Sequence, residues 1–304
     1  MAPGTTARLL QGAPIAADIR ASVRDDVAAF KRRHGHAPGL AVVIVGRDAP
    51  SIVYLEQIMR SCRNVGVHAQ LVEIPGQVST AALRERIRAL NDDPQVHGII
   101  VQMPLPKRIP LSTVLDTLDP EKDIDGIHPR NAGLMTQGYD GFLPTTAHAA
   151  VEILKRSDVA IAGRRAVVIG RSNVVGKPAA ILLLREHATV TVCHSRTRDL
   201  AAHTRTAEIL VVAAGKPGLV TGDMLKRGAV VVDIGINVVG DKIVGDVDMA
   251  SARSVASAIT PVPGGVGPVT NALLMTHLLR AAHEQAGSAR RGATPRLRSV
   301  GASG

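Results

Sequence analysis

Residues Ala166–Leu184 read AVVIGRSNVVGKPAAILLL, and the class of fold turns on this stretch. The run Ala166–Ile169 has the composition of a buried strand and stops at Gly170. Gly176 then opens an apolar stretch with helical spacing, read as a helix over Val174–Glu186. Strand, glycine turn and helix make one βα unit, in which the first amides of the helix favour an anion at the strand's end. The spacing G-x-S-x-x-x-G departs from the three-glycine dinucleotide fingerprint. Taken alone, it suits a plain strand–turn–helix equally well.

The same alternation extends in both directions. Strand-like runs stand at Leu40–Gly46, Val67–Ile74, Gly98–Gln102, Ala188–Cys193, Glu208–Ala213 and Ala229–Asp233, bounded by Gly, Pro or charged residues. Helical spacing fills Ile15–Arg33, Ser51–Val65, Thr80–Asn91 and Thr145–Arg156. Strands apolar on both faces that alternate with helices predict parallel sheets built from βαβ units, an α/β fold. The alternation restarts after Arg156, where RSDVAIAGRR reads as a turn-rich lead into a new strand, so two domains with a cleft between them are expected. A last helix near Val269–Gln285 follows the turn PVPGGVGP and is expected to pack back on the first domain.

Composition narrows the function classes. At 304 residues and 45% apolar content the chain has material for packed cores in two domains. No run approaches the roughly 18 apolar residues of a membrane span, and the first residues lack a signal-peptide core, so a soluble cytoplasmic protein without membrane partners is expected. Cys62 and Cys193 each lie in an apolar segment and read as buried thiols; no spacing suits a metal. The net charge of +10 raises the question of nucleic acid. Part of it sits in the tail Gly287–Gly304, with Arg290, Arg291, Arg296, Arg298 and no acid, which reads as disordered. Base stacking needs aromatic platforms, and Phe30, Phe142, Tyr54 and Tyr139 are too few, so no nucleic-acid partner is expected.

The strand after the glycine loop sharpens the anion reading. It ends in His194, Ser195, Arg196 and Thr197, where domains selective for NAD place an acid for the ribose hydroxyls. A hydroxyl and a guanidinium there suit a 2′-phosphate, so NADP is preferred as cofactor. Arg171 is a second candidate for that phosphate, or else a solvated surface arginine. Asp233–Asn237 (DIGIN) and Gly245–Asp248 (GDVD) read either as further parts of the cofactor edge or as ordinary turns.

Four segments, HGIIVQMPLP at His97–Pro106, KDIDGIHPRNAG at Lys122–Gly133, GRSNVVGKP at Gly170–Pro178 and TPVPGGVGPVT at Thr260–Thr270, carry a resemblance in their joint order. The chain resembles the bifunctional methylenetetrahydrofolate dehydrogenase/methenyltetrahydrofolate cyclohydrolases from about Leu9 to Ala282. That resemblance implies an N-terminal α/β folate domain over 9–147, completed by the helix 269–285, and a Rossmann-type doubly wound NADP domain over 148–268. It implies tetrahydrofolate derivatives as substrate and a homodimer formed through the cofactor domains. Tyr54, Gln102 and Asp125 are implied as catalytic residues. The folate pocket takes in Ser51, Tyr54, Val101, Gln102, Met103, Asp125, Pro263, Gly264, Gly265, Val266 and Gly267. Gly170, Arg171, Ser172, Ser195, Arg196 and Ile236 are the cofactor residues.

Physical chemistry supports several of these roles. A carboxylate at Asp125 can accept the adjacent N–H donors of a pterin edge as a near-planar pair, although KDIDG is also a good turn. Tyr54 offers a flat apolar face with a polar tip. The glycines of Pro263–Pro268 allow backbone to approach a ligand closely.

The sequence also departs from the pattern it resembles. The family places a lysine four residues after the tyrosine, and Ile58 stands there. Hydride transfer from methylene-tetrahydrofolate requires positioning and no proton removal, whereas hydrolytic opening of the methenyl product moves protons and wants a titratable group. An impaired cyclohydrolase with a surviving dehydrogenase is therefore expected, with a folate- or nucleotide-binding pseudoenzyme as the alternative. Glu56 and Arg60 point elsewhere on the helix. In Pro144–Leu154, Thr145, Ala147 and Ala149 stand where the family has cysteine, proline and glycine, and His148 is a candidate replacement base or an ordinary surface or interdomain histidine. A shikimate-type dehydrogenase on the same plan would need a lysine–aspartate pair that the sequence does not offer.

Overall fold

A computed structural model describes residues 6–46 and 49–291; for 49–54 and 288–291 it describes backbone alone. The chain divides into two compact units. The first gathers Ala17–Thr145 with the residues from Asn271 onward, and the second gathers the residues up to Ala16 with Thr146–Thr270.

In chain order the elements are β1 (Arg8–Leu9), α1 (Gly12–His34), β2 (Gly39–Val45), α2 (Ala49–Val65), β3 (His68–Ile74), α3 (Thr80–Asp92), β4 (Gly98–Val101), α4 (Ser112–Leu115), α5 (Pro129–Thr136) and α6 (Thr145–Arg156). There follow β5 (Arg165–Ile169), α7 (Gly176–Arg185), β6 (Thr189–Cys193), α8 (Leu200–Thr204), β7 (Ile209–Val212), β8 (Val230–Asp233), β9 (Asn237–Val239), β10 (Lys242–Val244), α9 (Met249–Ala252), β11 (Ala258–Ile259) and α10 (Val266–Arg291).

The first unit is built on a parallel sheet in the order β3-β2-β4. Every residue of the central strand β2 is buried, as expected of a parallel strand covered on both faces. On one face Leu83, Ile87 and Leu90, spaced i, i+4, i+7 along α3, meet Val43, Ile99 and Val114. Each fully buried aliphatic side chain there contributes about 1.5–3 kcal/mol. Ser79 caps α3 by accepting the Ala82 N–H at 3.1 Å. Residues of α10 beyond 270 pack into this unit. Cys62 Sγ lies 3.7 Å from Met275 Sδ, His277 Nδ1 lies 2.8 Å from the Ile124 carbonyl, and Gln285 Nε2 donates to the His97 carbonyl at 2.8 Å.

The second unit holds a parallel sheet in the order β1-β11-β8-β7-β5-β6. Val167, Ile169, Leu210, Val212, Val231 and Ile259 fill one side of it. The expected parallel sheets are present in both units, and the chain is α/β throughout. Strands β1 and β11 and the antiparallel pair β9–β10 extend beyond what periodicity reveals. Helix α10 continues through Arg291, so the first residues of the basic tail are helical, a correction to the expected disorder from Gly287. The rest of that expectation, 292–304, lies outside the described residues.

Candidate active site

The strand order reverses direction beside β2 in the first unit and beside β5 in the second, and ligands of open parallel sheets bind at the carboxyl ends of the strands at such a switch point. In the first unit the chain runs from β2 outward to β3, then crosses to β4 on the other side. Gln102 follows β4 at this edge, its N–H donating to the Val43 carbonyl at 2.8 Å. The side chain is 5% exposed, and its Nε2 meets no hydrogen-bond partner among the described residues. A buried donor left unmade costs about 1–3 kcal/mol, which a ligand acceptor would recover. Val101 is core, and Met103 is exposed beside it.

The segment 123–125 bridges to β4 through Ile99 and Asp123. Asp123 is fully buried and accepts N–H groups from Ile127 at 3.2 Å, His128 at 2.8 Å and Asn131 Nδ2 at 2.8 Å. With its charge held there, Asp123 anchors the turn that presents Asp125. Burial, then the neighbouring Asp123 charge, pushes the Asp125 carboxyl up to about 7, partly offset by the Thr145 hydroxyl. The Thr145 N–H also donates to the Asp125 carbonyl at 3.3 Å. Thr145 is therefore a site neighbour that sequence reading registers only as a departure.

Helix α2 sets the character of this pocket. Ile58 is 0% exposed, on the same face as buried Cys62 and Val65. Glu56 and Arg60 face another way, lining a concavity of about 500 Å³ with Met59, Arg63, Leu71 and Glu73. Among the described α2 residues the one titratable group on the Ile58 face is the Cys62 thiol, which burial pushes up to about 12, so that face offers no ionised side chain near neutral pH. The side chains of Ser51 and Tyr54 lie outside the described residues.

In the second unit the chain runs from β5 outward to β6 and then crosses to β7. Gly170 follows β5 with φ +120°, and a Cβ there would stand 2.2 Å from the Ala213 carbonyl oxygen. At Gly176 a Cβ would stand 2.2 Å from the Gly170 oxygen, so the turn closes only with both glycines. Ser172 Oγ accepts the N–H groups of Val175 at 3.1 Å and Gly176 at 3.3 Å. Ile169 and Cys193 are partners in register, which puts Arg171 and the pair Ser195–Arg196 on neighbouring strand ends. Both arginines and Ser195 are exposed. Thr197 Oγ1 accepts the His194 N–H at 2.8 Å and His194 Nδ1 the Arg196 N–H at 3.1 Å, fixing the backbone that carries the guanidinium.

The remaining cofactor-edge residues follow β8. Asp233 is 1% exposed, with its carboxyl pushed up to about 6 by burial against three accepted backbone N–H groups, from Gly235, Asp246 and Val247. Ile236 beyond it is 67% exposed. Pro263, Gly264 and Gly265 form the turn before α10, whereas Val266 and Gly267 already belong to that helix. The turn is held by the Gly12 N–H, which donates to the Gly264 carbonyl at 2.9 Å, and a Cβ on Gly12 would collide with the Gly265 oxygen. His148 belongs to the second unit, with Glu152, Lys155 and Arg185 as charged neighbours.

The tetrahydrofolate dehydrogenase/cyclohydrolase catalytic domain model matches residues 10–125, and the NAD(P)-binding domain model of the same family matches residues 144–286. The chain belongs to the tetrahydrofolate dehydrogenase/cyclohydrolase family. The bifunctional protein FolD of Moorella thermoacetica is 50% identical over 277 residues, 91% of this chain and 99% of that protein. Among solved structures, the FolD methylenetetrahydrofolate dehydrogenase/cyclohydrolase of Campylobacter jejuni superposes with a TM-score of 0.88 at 40% identity, covering 91% of this chain and 98% of that one. The Trypanosoma brucei N5,N10-methylenetetrahydrofolate dehydrogenase-cyclohydrolase, complexed with NADP and an inhibitor, gives 0.90 at 38% identity, covering 92% and 99%.

Proposed function

We propose that this chain oxidises 5,10-methylenetetrahydrofolate to 5,10-methenyltetrahydrofolate with NADP, and that its hydrolysis of the methenyl product is impaired. The observation that carries the redox half is the pair of adjacent strand ends: a turn that only glycines 170 and 176 can close, beside Ser195–Arg196 with no acid. These residues fit a dinucleotide. Bare glycine backbone and the α7 amides suit the pyrophosphate, and Arg171, Ser195 and Arg196 suit a 2′-phosphate. When bound, NADP supplies the hydride acceptor.

On the folate side, Asp125 would accept the N–H donors of the pterin edge and the buried Gln102 Nε2 would donate to a ligand oxygen. Tyr54 with Ser51, together with Val101 and Met103, completes the proposed folate residues of the first unit, and the 263–267 turn is proposed as a folate-binding segment of the second. The carbon that loses hydride leaves a cation shared by two nitrogens, so orientation carries the step and no base is required. Ring opening by water does require proton transfers, and Ile58 offers none.

Two supports concern the whole protein. Val238, Val239 and Ile243 of the β9–β10 hairpin are exposed apolar residues on the second unit, the kind of surface a second copy of the chain would cover, and we assign the homodimer to that unit. Among the described residues no helix is long and apolar enough to cross a membrane, and Cys62 and Cys193 are free and buried, in keeping with a cytoplasmic site.

The test is turnover of methylenetetrahydrofolate with NADP and with NAD, following reduced nicotinamide. The reading expects turnover with a clear preference for NADP. Absence of turnover with both folate and NADP still bound would make the protein a ligand-binding pseudoenzyme instead.

A further inference from the structure

Behind the cofactor edge lies a buried carboxylate in the GDVD segment, which motif reading leaves open between cofactor edge and ordinary turn. Asp246 is 0% exposed and no cation pairs with it among the described residues. Its Oδ2 accepts the backbone N–H groups of Ala214 at 2.6 Å and Gly215 at 2.8 Å. Its Oδ1 accepts the Lys216 N–H and the Asn237 Nδ2, each at 2.8 Å. Four donors thus converge on one carboxylate, and three are consecutive amides of the loop that leaves β7.

That loop borders the glycine turn directly. The Ala213 N–H donates to the Ile169 carbonyl at 2.8 Å, and the Ala213 oxygen is the atom a Gly170 side chain would strike. The carboxylate is itself held from behind, since Asp233 accepts the Asp246 N–H at 3.1 Å and the Val247 N–H at 2.9 Å. The order of support runs from β8 through Asp233 to Asp246, then to 214–216 and the edge of the Gly170 turn.

We propose that Asp246 is a positioning residue for the cofactor: by gathering the amides of 214–216 it fixes the wall against which the glycine turn receives the dinucleotide. The proposal rests on the NADP reading and goes beyond it by assigning a role to a residue outside direct contact. The donor set makes the role specific to a carboxylate. An amide in its place turns an N–H₂ group toward two N–H donors on one side or the other, losing two bonds and adding repulsion. The charge matters less, because four donors absorb it before it can oppose phosphate.

The experiment compares the native protein with Asp246→Asn and, as a gentler variant that removes one donor from the carboxylate, Asn237→Ala. KM and kcat for both substrates are measured together with NADPH fluorescence on binding and a thermal melt. Asp246→Asn is expected to raise the KM for NADP about tenfold, with kcat and the folate KM within about threefold. For Asn237→Ala the expected rise is about two- to fivefold. A folded Asp246→Asn protein with unchanged NADP KM, or with lower kcat alone, overturns the proposal. If that variant does not fold, Asn237→Ala decides: a raised NADP KM at constant kcat supports the role, and an unchanged one overturns it. Failure of the native protein to bind NADPH removes the cofactor reading and this proposal together, whereas binding equal in native and variant proteins removes the proposal alone.

Discussion

Ile58 carries the proposed loss of hydrolysis, a hydrocarbon in a fully buried place where the family resemblance implies a lysine. Ile58→Lys is expected to raise methenyltetrahydrofolate hydrolysis by about 10²–10⁴-fold, the usual contribution of general acid–base catalysis. The same variant should melt at lower temperature, since an ammonium is inserted where aliphatic packing now lies. A variant that folds but hydrolyses no faster would show that Ile58 is not what limits the reaction. Asp125 gives a second expectation at this scale. Its carboxyl titrates near 7 in the free protein, and only the ionised form accepts both pterin donors. The folate KM should therefore rise as pH falls through 7, approaching tenfold per pH unit, while the NADP KM stays level. A flat folate KM between pH 8 and 6, values chosen about that midpoint, would remove the carboxylate from binding. Asp125 and Ile58 could be singled out from sequence because a motif surrounds each. Asp246 lies in the GDVD segment that sequence picks out, but its role could not be read there, because its donors come from residues 214–216 and 237 and only the fold assembles them.

At the scale of elements, the strand ends β5 and β6 predict cofactor choice. Arg196→Ala should raise the KM for NADP by about 10- to 100-fold, the loss of a charge-assisted contact of about 1.5–3 kcal/mol, and leave the KM for NAD nearly unchanged. Equal effects on both cofactors would place Arg196 away from the 2′-phosphate. In the first unit, at the amino ends of β2 and β4, four histidines surround Phe30: His34 stacked at 4.3 Å, His283 at 5.1 Å, His36 at 5.7 Å and His97 at 5.8 Å. His97 Nδ1 accepts the Gly39 N–H at 2.9 Å, which requires the neutral ring. Burial, with His36 and Lys122 adding charge, lowers its pKa to about 4. The unfolded chain then binds more protons than the folded one between about 6.5 and 4, so stability is lost as pH falls through that window, up to about 3 kcal/mol. Urea denaturation at several pH values should show this slope, and His97→Gln should flatten it if the protein folds. The longer βα elements were legible because period and composition agree over many residues. The two-residue strands β1 and β11 carry no period, and their places come from pairing across the sheet.

For the whole molecule, the two parallel sheets repeat the same kind of switch point, one in each unit. The two-domain α/β plan and the family were readable in advance, since strand and helix periods alternate and four motifs keep their order. The place of the residues up to Ala16 in the second unit comes instead from the pairing of β1 with β11. The proposed function carries a division of labour: hydride removal by this protein, with the methenyl product left for another hydrolase to open. The most direct measurement follows methenyltetrahydrofolate and NADPH together in one reaction of the purified native protein, starting from methylenetetrahydrofolate and NADP. The methenyl compound is expected to accumulate nearly in step with NADPH, short of it only by its uncatalysed hydrolysis. NADPH formation with no methenyl accumulation, its product hydrolysed as fast as it is made, would contradict it.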